Sequence, residues 1–216
     1  MMGSGNIAVY KDPRKLVDDL LSGAIGAAVR GDMPSSKVMH LLKDEFGVDQ
    51  LERTVLLEPV GSKLFFLAPA GIDEGWTMDR KFDIAIRSVA LMEKLGSGTK
   101  IGVMSGGRKE DMGRNPAVDK TIEDAEELTR RLIDAGYDAY NAQILIEDAV
   151  DEADLIIAPD GITGNLIFRT MHFVGGARAL GAPVLNIDKV FVDTSRVKTD
   201  YTDSLHLAMK LAGGSK

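Results

Sequence analysis

Short apolar runs bounded by glycine, proline and aspartate alternate along the chain with longer segments of helical period, the pattern of strand-helix repeats around a largely parallel sheet. The clearest helix is expected over 117–135, where Val118, Ile122, Ala125, Leu128 and Leu132 recur every three or four positions. Acidic residues and arginines fill its other face. A second amphipathic helix is expected after Thr77 as N-cap, with Phe82, Ala85, Ile86 and Val89 inward and a stop at Gly96. Residues 13–22 and 36–46 read as further helices. Strands are expected over 25–29, 54–60, 63–68, 101–104, 142–146, 155–158 and 183–187. Gly61-Ser62 is a tight-turn pair, so 54–68 reads as an antiparallel hairpin.

At 216 residues the chain can form one domain or two lobes around one cleft, and either buries a real core. It has no cysteine, which removes disulfides, thiolate metal ligands and a cysteine nucleophile and favours a cytoplasmic protein. A net charge of -7, with both signs interspersed, argues against nucleic acid or an anionic membrane as partner. No apolar run approaches the ~20 residues that span a bilayer, and the first ten residues lack the apolar core of a secretory signal.

Four stretches could carry chemistry. In the first, an apolar run from Leu155 ends in Pro159-Asp160-Gly161, and Gly164-Asn165 follow before a helix-compatible run towards Leu180. Two glycines let backbone approach a ligand at a helix start whose free amides can receive an anion; the alternative is a structural turn that needs glycine only for its dihedrals. The second is Asp193-Thr194-Ser195-Arg196 with Asp200 and Asp203, which offers a hydroxyl, a guanidinium fork and carboxylates, or else ordinary caps and surface ion pairs. In the third, Arg30-Gly31-Asp32-Met33-Pro34-Ser35-Ser36, paired hydroxyls stand at an expected helix start. The fourth, Ser105-Gly106-Gly107-Arg108-Lys109, follows a strand end and is otherwise a solvated loop. His40, His172 and His206 have no metal-ligand spacing, and no dinucleotide or Walker fingerprint is present.

These segments, in this order, resemble the phosphate acetyl/butyryltransferase superfamily, which includes the phosphate acyltransferase of phospholipid synthesis. Asp160-Gly161-x-x-Gly164-Asn165 is similar to its Asp-x-x-x-Gly-Asn turn, and Asp193-Thr194-Ser195-Arg196 to the Asp-Leu-Ser-Arg of phosphotransacetylases. Arg30 to Ser36 and Ser105 fall where those enzymes carry paired hydroxyls and a serine after a strand. More narrowly, the length and the run 101–119 resemble the methanogenesis marker protein four family of methanogenic archaea, labelled a methyltransferase subunit, MtxX. Two departures stand out: Val197 replaces a family glycine, and Asp203 lies one residue later than the pattern.

The resemblance implies an α/β fold of the phosphotransacetylase and isocitrate-dehydrogenase type, mainly a parallel sheet with flanking helices, shortened at the N-terminus. It implies acyl exchange between a thioester such as acyl-CoA and phosphate. Ser195, Arg196 and Asp203 would be catalytic, and Arg30, Ser35, Ser36, Ser105, Asp160, Gly161, Gly164 and Asn165 would bind the anion. No metal or redox cofactor is required, and coenzyme A or a related thiol is a substrate. A homodimer is also expected. The alternatives are a non-catalytic ligand-binding or assembly protein of the same fold, and a methyltransferase-associated subunit of methanogenesis.

Overall fold

The computed structural model describes residues 7–195 and 199–213. In chain order the elements are α1 (Pro13–Ser22), β1 (Ala27–Val29), α2 (Ser35–Phe46), β2 (Val55–Glu58), β3 (Phe65–Ala68), α3 (Met78–Leu95), β4 (Ile101–Met104), α4 (Pro116–Asp134), β5 (Ala139–Gln143), α5 (Ile146–Glu152), β6 (Leu155–Ile157), α6 (Gly161–Arg169), β7 (Arg178–Pro183), β8 (Val190–Asp193) and α7 (Thr202–Gly213). The fold is α/β, with mostly parallel strand pairs and flanking helices. Two compact units form, one from Met1–Leu51 with Gly181–Lys216 and the other from Glu52–Leu180.

In the second unit the strand order is β2-β3-β6-β4-β5, antiparallel in the β2/β3 hairpin and parallel elsewhere. β3, β6 and β4 are buried along their whole length, as strands covered by helices on both faces must be, which is why they read as continuous apolar runs. The hairpin forms as expected, with Val55 opposite Leu67 and Gly61 at φ 77° in the turn. Local signals end the helices where expected: Thr77 caps α3 by accepting from the Arg80 amide at 3.3 Å, and Gly96 closes it in the left-handed region. Asn115 caps α4 in the same manner through the Ala117 amide.

The inward face of α3 is rotated from the expected one. Lys81, Ile84, Ala85, Ser88, Val89 and Met92 are buried, while Phe82 and Ile86 are half-buried. Two strands are displaced as well. β5 covers Ala139–Gln143 rather than 142–146, because it is a half-exposed strand without an apolar run. Gln143 then turns the chain at φ 55°, its amide held by Asn141 Oδ1, and the apolar residues 144–146 lead into α5. The helical run after Gly161 stops near Gly175-Gly176, and the chain becomes β7.

In the first unit β1 pairs with β8 in parallel, and β8 with β7 antiparallel. Thus 178–183 and 190–193 are the strands here, in place of the expected 183–187. α1 begins with Asp12 as cap and Pro13 in the first turn, where proline's missing N–H costs nothing. Leu16, Val17 and Leu20 pack with Val38 and Leu42 of α2 and Phe191 of β8 to form the core.

On the exposed face of α4, Glu127 accepts from Arg130 and Arg131, and these hydrogen bonds hold its pKa at about 2, against an ordinary 4.5. A depressed carboxylate stabilises the fold above its unfolded pKa, and the contribution is lost as pH falls from 4.5 through about 2. NMR titration of the Glu127 carboxyl carbon should give that low midpoint in the native protein and a higher one in Arg131→Ala; coincident midpoints would show that the pairs do not form.

Candidate functional site

In the first unit the carboxyl ends of β1 and β8 lie side by side, Val29 in register with Val192. The Arg30 amide continues the ladder to Val192 O at 3.1 Å. Its side chain is buried: Nε donates to Asp193 Oδ1 at 2.5 Å and Nη1 to Met33 O at 2.5 Å. Asp193 Oδ1 also accepts from the Thr194 amide at 2.8 Å, and Thr194 Oγ1 donates to Gly31 O at 2.9 Å. One ion pair and a hydroxyl therefore tie the loop Gly31–Pro34 to the strand end that carries Ser195.

That loop delivers the start of α2. Its N-cap is Pro34, which has no side-chain acceptor, so the amides of Ser35, Ser36 and Lys37 have no cap. The hydroxyls of Ser35 and Ser36 have no hydrogen-bond partner among the described residues. Ser195 is half-buried and Asp203 stands in the first turn of α7. Arg196 lies outside the described residues. Tyr201 is a member of this neighbourhood that sequence reasoning missed: burial and then Asp32 raise its pKa, and Arg30 opposes them, which puts the phenol among these charges. Beside them is a cavity of about 740 Å³, apolar along Ile25, Ala28, Leu205 and Ala208 and polar at Arg30, Asp32 and Tyr201.

The second unit holds the other expected residues. Asp160 caps α6 by accepting from the Thr163 amide at 2.8 Å. Gly161 donates to Glu74 O at 3.0 Å, and a Cβ on Gly161 would lie 1.8 Å from Gly71 O. A Cβ on Gly164 would lie 2.0 Å from Pro69 O, and Asn165 Nδ2 donates to Ala70 O at 3.0 Å. The backbone approaching these two glycines is thus the segment 69–74. Glu74 locks that segment from within, accepting from Arg53 Nε at 2.6 Å and from the amides of Arg53 and Ala70.

Ser105 is buried at the end of β4 and donates to Gly107 O at 2.7 Å. The following loop is held by Gly106 N to Thr121 Oγ1, Arg108 N to Asp111 Oδ2 and Lys109 N to Gln143 Oε1, so it is bonded rather than merely solvated. Lys81 was also missed. Its ammonium is buried and donates to Asp124 Oδ2 and Pro159 O, both at 3.2 Å, which braces the peptide just before Asp160. Only its place on the rotated face of α3 signals it. His172 Nδ1 lies 2.7 Å from Ala177 O and His40 pairs with Asp44. Among the described residues no cluster of metal-ligand type occurs, and no helix is long and apolar enough to cross a membrane.

No protein-family model matches the chain. Curated relatives do. Over 203 residues it is 45% identical to a protein of Methanosarcina mazei named "Putative methyltransferase mtx subunit X", a match covering 94% of this chain and 72% of the relative. The chain belongs to the MtxX family. An uncharacterized methyltransferase of Methanopyrus kandleri is 38% identical over 211 residues, covering 94% of this chain and 82% of that protein. Among solved structures, this chain resembles a branched-chain phosphotransacylase from Enterococcus faecalis V583 with a TM-score of 0.75 at 17% identity, covering 93% of this chain and 78% of that one. A phosphotransacetylase from Streptococcus pyogenes gives a TM-score of 0.70 at 18% identity, covering 94% and 67%. Those likenesses place the fold of this chain with that of the phosphotransacetylases, and the organisms of its relatives link the family to methanogens.

Proposed function

We propose that the chain binds a phosphate or acyl-phosphate anion at the carboxyl ends of its strands and exchanges an acyl group between a thioester, such as acyl-CoA, and phosphate. The observation that carries this reading is the start of α2: uncapped amides and two hydroxyls, Ser35 and Ser36, with no hydrogen-bond partner among the described residues, are presented by a loop pinned to the Thr194-Ser195 end of β8. Such donors suit a phosphate. Arg196 supplies the guanidinium fork to the anion, as in the superfamily pattern. Ser195 hydrogen-bonds the thiol sulfur, and Asp203 orients Ser195 or acts as base. A phosphate oxygen attacks the thioester carbonyl, the carbon-sulfur bond breaks, and the phosphate proton passes to the leaving thiolate. Positioning and charge stabilisation of the tetrahedral state drive the step. The apolar cavity beside Arg30 is suited to a hydrocarbon portion of the substrate.

In this reading Asp160, Gly161, Gly164, Asn165 and Ser105, all in the second unit, are further anion-binding candidates. A second reading is favoured by the same geometry: the Gly161 amide is spent on Glu74, which leaves fewer donors for a transition state and suits a non-catalytic anion-binding subunit. The relatives' names favour a role beside a methyltransferase.

Calorimetric titration with phosphate tests the binding common to these readings. Arg196→Ala should weaken it by about ten- to a hundredfold, since a hydrogen bond to a charged group is worth roughly 1.5–3 kcal/mol. Arg131→Ala, whose arginine is tied to Glu127 and Asp79, should leave it unchanged. Equal affinities for wild type and Arg196→Ala would make Arg196 a bystander. Formation of acetyl phosphate from acetyl-CoA and phosphate then separates acyl exchange from binding alone.

A further inference from the structure

Beside the last strand of the second unit lies a cavity to which the function proposed above gives no role. β5 ends the strand order there, and the cavity, of about 410 Å³, is lined by β5 and α4 together. That volume falls within the roughly 300–1,000 Å³ of small-molecule sites. From α4 come Ile122, which is buried, and Ile133, which is half exposed, so the helix supplies an apolar wall.

The strand supplies something else. A strand under a helix ordinarily turns apolar side chains towards it, yet β5 lines the cavity with two carboxamides, Asn141 and Gln143. Asn141 Oδ1 accepts from the Gln143 amide at 2.9 Å, and Gln143 Oε1 accepts from the Lys109 amide at 3.1 Å. A backbone N–H can only donate, so these contacts fix which atom of each carboxamide is the oxygen and hold each side-chain nitrogen at the opposite end. Neither nitrogen has a hydrogen-bond partner among the described residues, and each carries two N–H donors.

The remaining polar groups of the lining are engaged to different degrees. Thr129 Oγ1 donates to Ala125 O at 2.7 Å, and Arg130 is held by Glu127 and Asp134. Lys109 is the available cation: its side chain is 79% exposed and its ammonium rests on Glu126 at 3.4 Å, an exposed pair that a ligand can replace at little cost. The cavity thus has an excess of donors, and an occupant must bring acceptors. A carboxylate is acceptor-only, takes several N–H groups at once and has its charge matched by Lys109. Inorganic phosphate would leave Ile122 and Ile133 uncovered.

We propose that this cavity binds a small monocarboxylic acid, its carboxylate on the Asn141 and Gln143 amide groups and the Lys109 ammonium, its hydrocarbon part along Ile122 and Ile133. The site uses none of the residues assigned to phosphate, and it stands whether or not they bind that anion.

NMR titration of the isotope-labelled full chain with hexanoate tests it. The side-chain amide signals of Asn141 and Gln143 should shift together and saturate, with a dissociation constant of about 1 mM or below for a ligand of this size. Hexanamide, equal in size but uncharged, should bind about tenfold more weakly or worse, because a charge-assisted contact becomes a neutral one. Asn141→Asp keeps an oxygen for the Gln143 amide and exchanges only the donors for a second carboxylate. It should retain the circular dichroism of the wild type and lose hexanoate affinity by about tenfold or more. Gln143→Glu keeps the acceptor for the Lys109 amide in the same way and should show the same loss, which decides the matter if Asn141→Asp does not fold. Amide signals that stay in place with hexanoate in large excess over the expected constant would overturn the proposal, as would folded variants of undiminished affinity. Hexanamide binding as tightly as hexanoate would reduce the cavity to an apolar one. Acetyl-Gly-Leu binding more than tenfold tighter than hexanoate would also sink the assignment, since the carboxylate would then belong to the end of a peptide chain.

Discussion

Asp193→Ala is expected to lower the unfolding free energy by about 3–5 kcal/mol, the cost of leaving a buried charge without its partner. Arg30 is 3% exposed and its Nε rests on Asp193 Oδ1. The same oxygen takes the Thr194 amide, so the substitution strands a guanidinium and a backbone donor together. Urea unfolding would show a lower midpoint at unchanged slope. Replacing both partners by apolar residues, Arg30→Met with Asp193→Leu, should recover much of the loss, because the penalty belongs to the unpaired charge rather than to the absence of a bridge. A single-variant effect below about 1 kcal/mol, the range of exposed ion pairs, would mean that water reaches this pair. The functional consequence is expected to follow the structural one: with the strand ends untied, the start of α2 is no longer held against Ser195.

Gly161→Ala should be of similar severity for a different reason. Its Cβ would lie 1.8 Å from Gly71 O and 2.8 Å from Glu74 O, and neither atom belongs to a side chain that can swing away. The 69–74 backbone would have to retreat, costing about 1–3 kcal/mol or more as overpacking and about 1 kcal/mol for the Gly161 N to Glu74 O hydrogen bond. Gly96→Ala is the comparison. It meets nothing within 4 Å and bears only the strain of φ +70°, roughly 1–2 kcal/mol. Thermal melting of the two variants side by side should place Gly161→Ala well below Gly96→Ala. The reverse order would show that the 69–74 segment is not packed on α6 as described.

What could be read directly from the chain was whatever is decided within a few residues. Helix α3 runs from its Thr77 cap to its Gly96 stop because capping hydrogen bonds and left-handed glycine act locally. The β2/β3 hairpin follows from a tight turn between two apolar runs. The α/β class was legible because buried parallel strands are apolar on both faces. β5 and β8 were not, the first because a half-exposed strand has no such run and the second because its four residues sit beside the polar Thr194-Ser195 stretch.

The candidate site divides along the same line. Its residue types were visible in sequence order: Arg30, Ser35, Ser36, Ser105, the turn from Asp160 to Asn165, and Asp193 to Ser195. Their uses were not, since a hydrogen-bonding group does not announce its partner. Only the tertiary structure decides that Arg30 spends its charge on Asp193, 163 positions away, that Gly161 and Gly164 admit the 69–74 backbone, and that Lys81 is buried against Asp124 and Pro159. Glycine at 161 and 164 satisfies a ligand and a neighbouring carbonyl equally well in sequence terms. What approaches them within 3 Å is decided by chain-distant packing, which, unlike a cap or a turn, leaves no mark on the residues next door.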